Sequence, residues 1–209
     1  TQIVALETSD IAVLKSEGIA ALSSSQFLAL STAQLQALNT LQAGALTTLQ
    51  ISSLSTSALR VLLTSQIANL NTAAIKALSS SQVASLNTAA IQALSTAQVS
   101  SLTSGFVRAL STTQIRALET RDVAVLSNAS LATLTSAQLG ALTSLQVGAL
   151  SSSQVCALTT TQVAQINASY RPNSTPIVLD LDGNGIQTLS VDAGVRFDML
   201  ASGQAVQTG

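Results

Sequence analysis

The chain has 209 residues, of which 47% are hydrophobic, 2% aromatic and 8% charged, with a formal net charge of −1; about a quarter charged is usual. So few cations leave no electrostatic footprint for a phosphate backbone or an anionic membrane surface, so nucleic acid is not an expected partner. The mean hydropathy is +0.47, but Ser, Thr, Asn or Gln interrupts every few residues, and membrane insertion, which needs about 18 apolar residues in a row, is not expected either.

Histidine is absent and Cys156 stands alone, which removes the commonest acid–base group and rules out an intrachain disulfide. The abundant Ser residues fall at helix starts rather than in a Ser–His–Asp arrangement, so no enzyme activity is expected. The sequence starts inside a repeat at Thr1-Gln2-Ile3 without a leader-like stretch, which reads as a segment of a larger protein.

From Leu14 to Leu158 a Leu recurs every eight residues, and Ile166 closes the series. Octads counted from Glu7 follow the pattern (S/T/N)-(S/T)-x-Q-(I/V/L)-x-(A/S)-L, as in Ser95-Thr96-Ala97-Gln98-Val99-Ser100-Ser101-Leu102, and they run to Ile166 without an insertion. A continuous helix would rotate successive Leu residues by about 80°, spiralling the apolar stripe, so one long helix is disfavoured. A β-solenoid is disfavoured by the scarcity of Gly, Pro and Asp-Gly corners and by the helix-forming Ala, Leu and Gln.

The octad punctuation is a capping box, with Ser, Thr or Asn at position one and Gln three residues later. Each octad is therefore predicted to restart a helix of under two turns, with positions five and eight, such as Ile91 and Leu94, on one face. Helices this short cannot stand alone, so neighbours must stack into an α-solenoid over residues 1–166. Between Ala58 and Gln114 position four alternates Ala58, Gln66, Ala74, Gln82, Ala90, Gln98, which predicts two octads, or 16 residues, per coil. The opening Thr1-Gln2-Ile3-Val4-Ala5-Leu6-Glu7-Thr8-Ser9-Asp10 is echoed by Thr113-Gln114-Ile115-Arg116-Ala117-Leu118-Glu119-Thr120-Arg121-Asp122, as if the array grew by copying blocks.

The octad register stops at Asn167, and residues 167–176, with Pro172 and Pro176, read as a linker. Residues 177–209 read as the start of a β-rich segment: Ile177-Val178-Leu179, Ile186 to Val191 and Val195-Arg196-Phe197 look like short strands between Asp/Gly turns. Asp180-Leu181-Asp182-Gly183-Asn184-Gly185 has a D-x-D-x-N-G spacing that sets oxygen ligands around a hard cation, calcium being the natural one. Asp180, Asp182, Asn184 and Asp192 are the candidate metal ligands, although Val191 stands where an EF-hand has its bidentate Glu; an Asp/Asn/Gly turn without metal is the other reading.

The run Pro176-Ile177-Val178-Leu179-Asp180-Leu181-Asp182-Gly183-Asn184-Gly185-Ile186-Gln187-Thr188-Leu189, followed by Gly194-Val195-Arg196-Phe197-Asp198, resembles a segment of large RTX (repeats-in-toxin) proteins of the iron-regulated type. The resemblance covers about the last 35 residues and implies type I secretion and calcium binding, hence a secreted or bacterial cell-surface location. Asp198, Leu200, Ser202 and Gly203 depart from the family's second calcium motif by losing two ligands, and Pro176 follows Thr175, so the Asp-Pro self-cleavage of some members is not expected. The octad array resembles repeat tracts of large bacterial surface proteins.

The function expected from these readings is that of a structural or adhesive spacer in an RTX-like adhesin or toxin, its partner a host or surface ligand. Two alternatives stand beside it. The Ser/Thr row at position two, from Thr8 through Thr40, Thr72 and Thr96 to Thr160, would form a hydroxyl lattice for ice or another ordered surface if it lay on one flat face; otherwise it serves the helix starts. Apolar solenoid ends would support end-to-end self-association into a filament. Arg60, Lys76 and Arg108 at position six are read as a solvated face rather than a polyanion stripe, and Cys156 as an incidental thiol.

Overall fold

The structure is a computed structural model that describes residues 2–169. The chain divides into two compact units, Thr1–Ser169 and Tyr170–Gly209, and the described residues belong to the first.

A 3-10 turn, Gln2–Ala5, leads into twenty short α-helices. In chain order they are α1 (Thr8–Val13), α2 (Ser16–Ala20), α3 (Ser24–Leu28), α4 (Thr32–Ala37), α5 (Thr40–Gly44), α6 (Thr48–Ser53), α7 (Thr56–Arg60), α8 (Thr64–Asn69), α9 (Thr72–Lys76) and α10 (Ser80–Ser85). The series continues with α11 (Thr88–Gln92), α12 (Thr96–Ser100), α13 (Ser104–Ala109), α14 (Thr112–Ala117), α15 (Thr120–Val125), α16 (Asn128–Ala132), α17 (Ser136–Ala141), α18 (Ser144–Gly148), α19 (Ser152–Cys156) and α20 (Thr160–Ser169). One helix per octad is what the spacing predicts. Only α20 runs past its octad, to Ser169; the rest of the expected linker and the whole expected β-rich segment, 177–209, lie outside the described residues.

Each helix starts because position one is an N-cap in extended conformation. Ser95, at φ −73° and ψ 155°, accepts from the Gln98 amide while its own N–H donates to Gln98 Oε1 at 2.7 Å. The same reciprocal pair forms at Ser31/Gln34, Asn39/Gln42, Thr47/Gln50, Ser111/Gln114 and Thr143/Gln146, satisfying two of the amides that a helix start leaves orphaned. At Leu63 only the Gln66 half forms, because Leu has no acceptor. About half of the helices end where the position-eight Leu turns back to extended backbone, as Leu118 does at φ −60° and ψ 137°, its N–H donating to the position-five carbonyl of Ile115; others end one residue earlier, at a position-seven residue such as Ala45.

Positions five and eight form the core. Ile11, Ile51, Val83, Ile91, Val107 and Val123 are completely shielded, and Leu46, Leu94 and Leu110 nearly so. Each such side chain contributes roughly 1.5–3 kcal/mol on burial, which no single turn of helix could supply for itself.

The expected two octads per coil is corrected. Helices pack against the third helix on, as α1 does on α4, α5 on α8, α11 on α14 and α17 on α20, and hydrogen bonds between coils join residues 25 to 31 apart. A turn of the solenoid therefore takes between three and four octads. The alternation that suggested 16 residues is real, but the glutamine bonds described below link an octad to the fourth before it. Two divides four, so Gln-bearing octads still meet Gln-bearing octads: Gln66 reaches the Gln34 octad, Gln82 the Gln50 octad and Gln98 the Gln66 octad. An alternation of two could not distinguish a coil of two octads from a link of four.

Candidate functional surface and the buried glutamine ladder

Position four lies inside the coil. Gln42, Gln50 and Gln66 are 1% exposed, and Gln34, Gln82, Gln98, Gln114, Gln138, Gln146 and Gln154 are also buried. Burying an amide is costly unless all of its polar atoms are paired. The capping box uses only the acceptor; the Nε2 group still has two hydrogens to place. They go to the fourth octad before. Gln146 Nε2 donates to Ile115 O at 2.8 Å and Leu118 O at 2.7 Å, residues 31 and 28 positions earlier. Gln98 does the same with Ile67 and Leu70, and Gln42 with Ile11 and Leu14. Of the two carbonyls reached, the position-five one already accepts from the position-eight N–H and takes the glutamine on its second lone pair, while the position-eight one lies past the last turn of its helix. One side chain thus closes the start of its own helix and the end of another.

At some octads where position four is not Gln, substitutes appear. At Ala74 the N-cap Asn71 donates its Nδ2 to Gly44 O and Leu46 O at 3.0 and 2.8 Å. Ser130 Oγ reaches Leu102 O at 3.3 Å. Phe106 fills the position with apolar bulk and is 3% exposed. Asp122 is the exception: its side chain is 0% exposed, yet neither carboxylate oxygen has a hydrogen-bond partner. Burial lifts its pKa above the usual 3.8, against the pull of the Glu119 backbone N–H, which is near but outside hydrogen-bonding geometry, and of the Arg121 cation, with the Glu119 carboxylate adding a smaller upward push. Arg121 Nε lies 4.0 Å from Asp122 Oδ1 and pairs at 2.6 Å with Glu119. The other position-four aspartate, Asp10, is exposed and accepts from Glu7 N at 2.9 Å.

The position-two hydroxyls are exposed from Thr32 through Thr96, and the cap bonds belong to position one, not to them. With three to four octads per turn, consecutive hydroxyls point to different sides of the coil, and any one side receives every third or fourth of them. Arg60, Lys76 and Arg108 are exposed in the last turns of α7, α9 and α13, where a cation also complements the helix end. Cys156 is an exposed free thiol on α19. The candidate metal ligands Asp180, Asp182, Asn184 and Asp192 lie outside the described residues. No helix among the described residues is long and apolar enough to cross a membrane.

The ladder is the feature that sequence reading missed. Its signal was the surplus donor capacity of a Gln whose capping role consumes only the carbonyl.

A family model for the ALTTAQ repeat matches residues 3–40, 115–152 and 137–167, together under half of the chain, and confirms a tandem repeat array. No curated protein and no solved structure matches the chain significantly.

Proposed function

We propose that residues 1–166 are a non-enzymatic structural or adhesive spacer of a larger secreted bacterial protein of the RTX type. The observation that carries this reading is the repetition of one contact: the same Gln side chain bonds the same two carbonyls of the fourth octad before, from Gln34 to Gln154. Each added octad brings its own cap and core pair, and most bring the link as well, so the array can lengthen by repeating one unit, as a nearest-neighbour solenoid does. A spacer is selected for that property.

Deleting residues 63–94, four whole octads, tests it. Gln98 would then meet the Leu35 and Leu38 carbonyls in place of those of Ile67 and Leu70, so the shortened chain keeps its helical circular dichroism and its contour length in electron micrographs falls in proportion. Loss of the fold on this deletion would sink the reading.

The tail is proposed as a calcium-dependent module with Asp180, Asp182, Asn184 and Asp192 as ligands, on the strength of their oxygen-donor spacing and the RTX resemblance. Calorimetric titration with calcium is expected to show binding that Asp182→Asn abolishes, while the helical signal of the array stays independent of calcium.

The exposed position-two hydroxyls support a second reading, a lattice for ice or another ordered surface. Their distribution around the coil favours the spacer over it, and thermal hysteresis, expected to be absent, separates the two.

A further inference from the structure

We propose that Asp122 makes the junction between its octad, residues 119–126, and the octad four places earlier, residues 87–94, a proton-dependent joint in the coil: closed when the carboxyl is protonated, loosened when it ionises.

The register supplies the geometry. A glutamine at this position donates to the carbonyls 31 and 28 residues earlier, and for position 122 those belong to Ile91 and Leu94, both buried. Aspartate is one methylene shorter and, ionised, has no hydrogen to give. It then adds two acceptors where the register already sets two carbonyl acceptors, in a place that water does not reach, and both of its oxygens stand without a partner. A buried carboxylate in that position favours the neutral form. Protonation removes the charge and creates an O–H that can donate toward the Leu94 carbonyl, the bond that Ser130, another short hydroxyl at position four, makes to Leu102 O.

Few charges compete. On its own helix Asp122 faces Arg121 and Glu119, which pair with each other at the surface. Helices α12 and α18, packed against α15, carry no ionisable side chain, and neither do α11 and α16. Helix α19, whose Gln154 bonds to Val123 O, offers the exposed Cys156, and Arg116 of α14 gives its Nε to Ala141 O.

The direction follows from linkage. The folded carboxyl holds its proton to a higher pH than the unfolded one, whose ordinary value is 3.8. Stability from this joint is therefore complete below that value and is lost as pH rises through the folded pKa.

Hydrogen–deuterium exchange of the full chain, corrected for intrinsic rates and read between about pH 4 and 7, tests the proposal. Peptides spanning 87–94 and 119–126 should lose protection as pH rises, by about fivefold relative to peptides around Gln50 and Gln82, the change that loss of one typical hydrogen bond makes in an opening equilibrium. Asp122→Gln and Asp122→Asn, each neutral and able to donate, should hold that protection flat. A native profile with no such local loss, or variants that reproduce the native profile, would overturn the proposal. The asparagine variant, nearly the same size as aspartate, keeps the test decisive should the longer glutamine fail to fold.

Discussion

Gln146 and Asp122 hold the same place in their octads, three octads apart, and both are buried. The first pairs its whole amide: Oε1 accepts from Thr143 N, and Nε2 donates to Ile115 O and Leu118 O. The second pairs neither oxygen. The two helices differ little in what they bury, since Val123 and Val147 both lie in the core. Local helix formation and attachment to the next coil are thus separable: caps and apolar spacing supply the first, and the chemistry of one side chain supplies the second.

The comparison can be broken most severely through the core that lies beneath the ladder. Ile115→Ala removes a 1% exposed core side chain and should cost about 2–5 kcal/mol in urea unfolding, in line with large-to-small core changes. A much smaller loss would mean that the core is secondary to the ladder. Next comes Gln146→Leu, which turns a paired octad into an unpaired one. It leaves the Ile115 and Leu118 carbonyls without this donor and should cost about 1–3 kcal/mol; an unchanged midpoint would show the ladder to be decorative. The converse change, Asp122→Gln, should raise stability at neutral pH by about 0.5–1.5 kcal/mol for each hydrogen bond restored, with the gain shrinking as pH falls toward 4. Ser95→Ala deletes only the cap half of one box and should cost about 1 kcal/mol. Cys156→Ser, at an exposed site without partners, should stay within about 0.5 kcal/mol of the native chain.

Sequence reading reached the pieces whose causes are local. Leu recurring at eight, Ser or Thr opening most octads and Gln three residues later are enough to place the helix starts, the helix ends before α20, and positions five and eight as the core. It reached only half of the role of Gln98 or Gln146, because their capping partner lies three residues away and their donor targets lie 28 and 31 away. Asp122 entered the sequence reading only as the end of a repeated block; its isolation emerges only in the folded coil, where it is buried without a hydrogen-bond partner.

Helix length, capping and the apolar face are settled within one octad by backbone sterics and nearest-neighbour hydrogen bonds, and so were written in the sequence itself. The number of octads in a turn was decided by tertiary structure alone. Near-identical octads offer near-identical partners at every multiple of eight, so no local pattern ranks one closure above another; packing of the aliphatic core and the reach of a glutamine amide to a distant helix end make the choice.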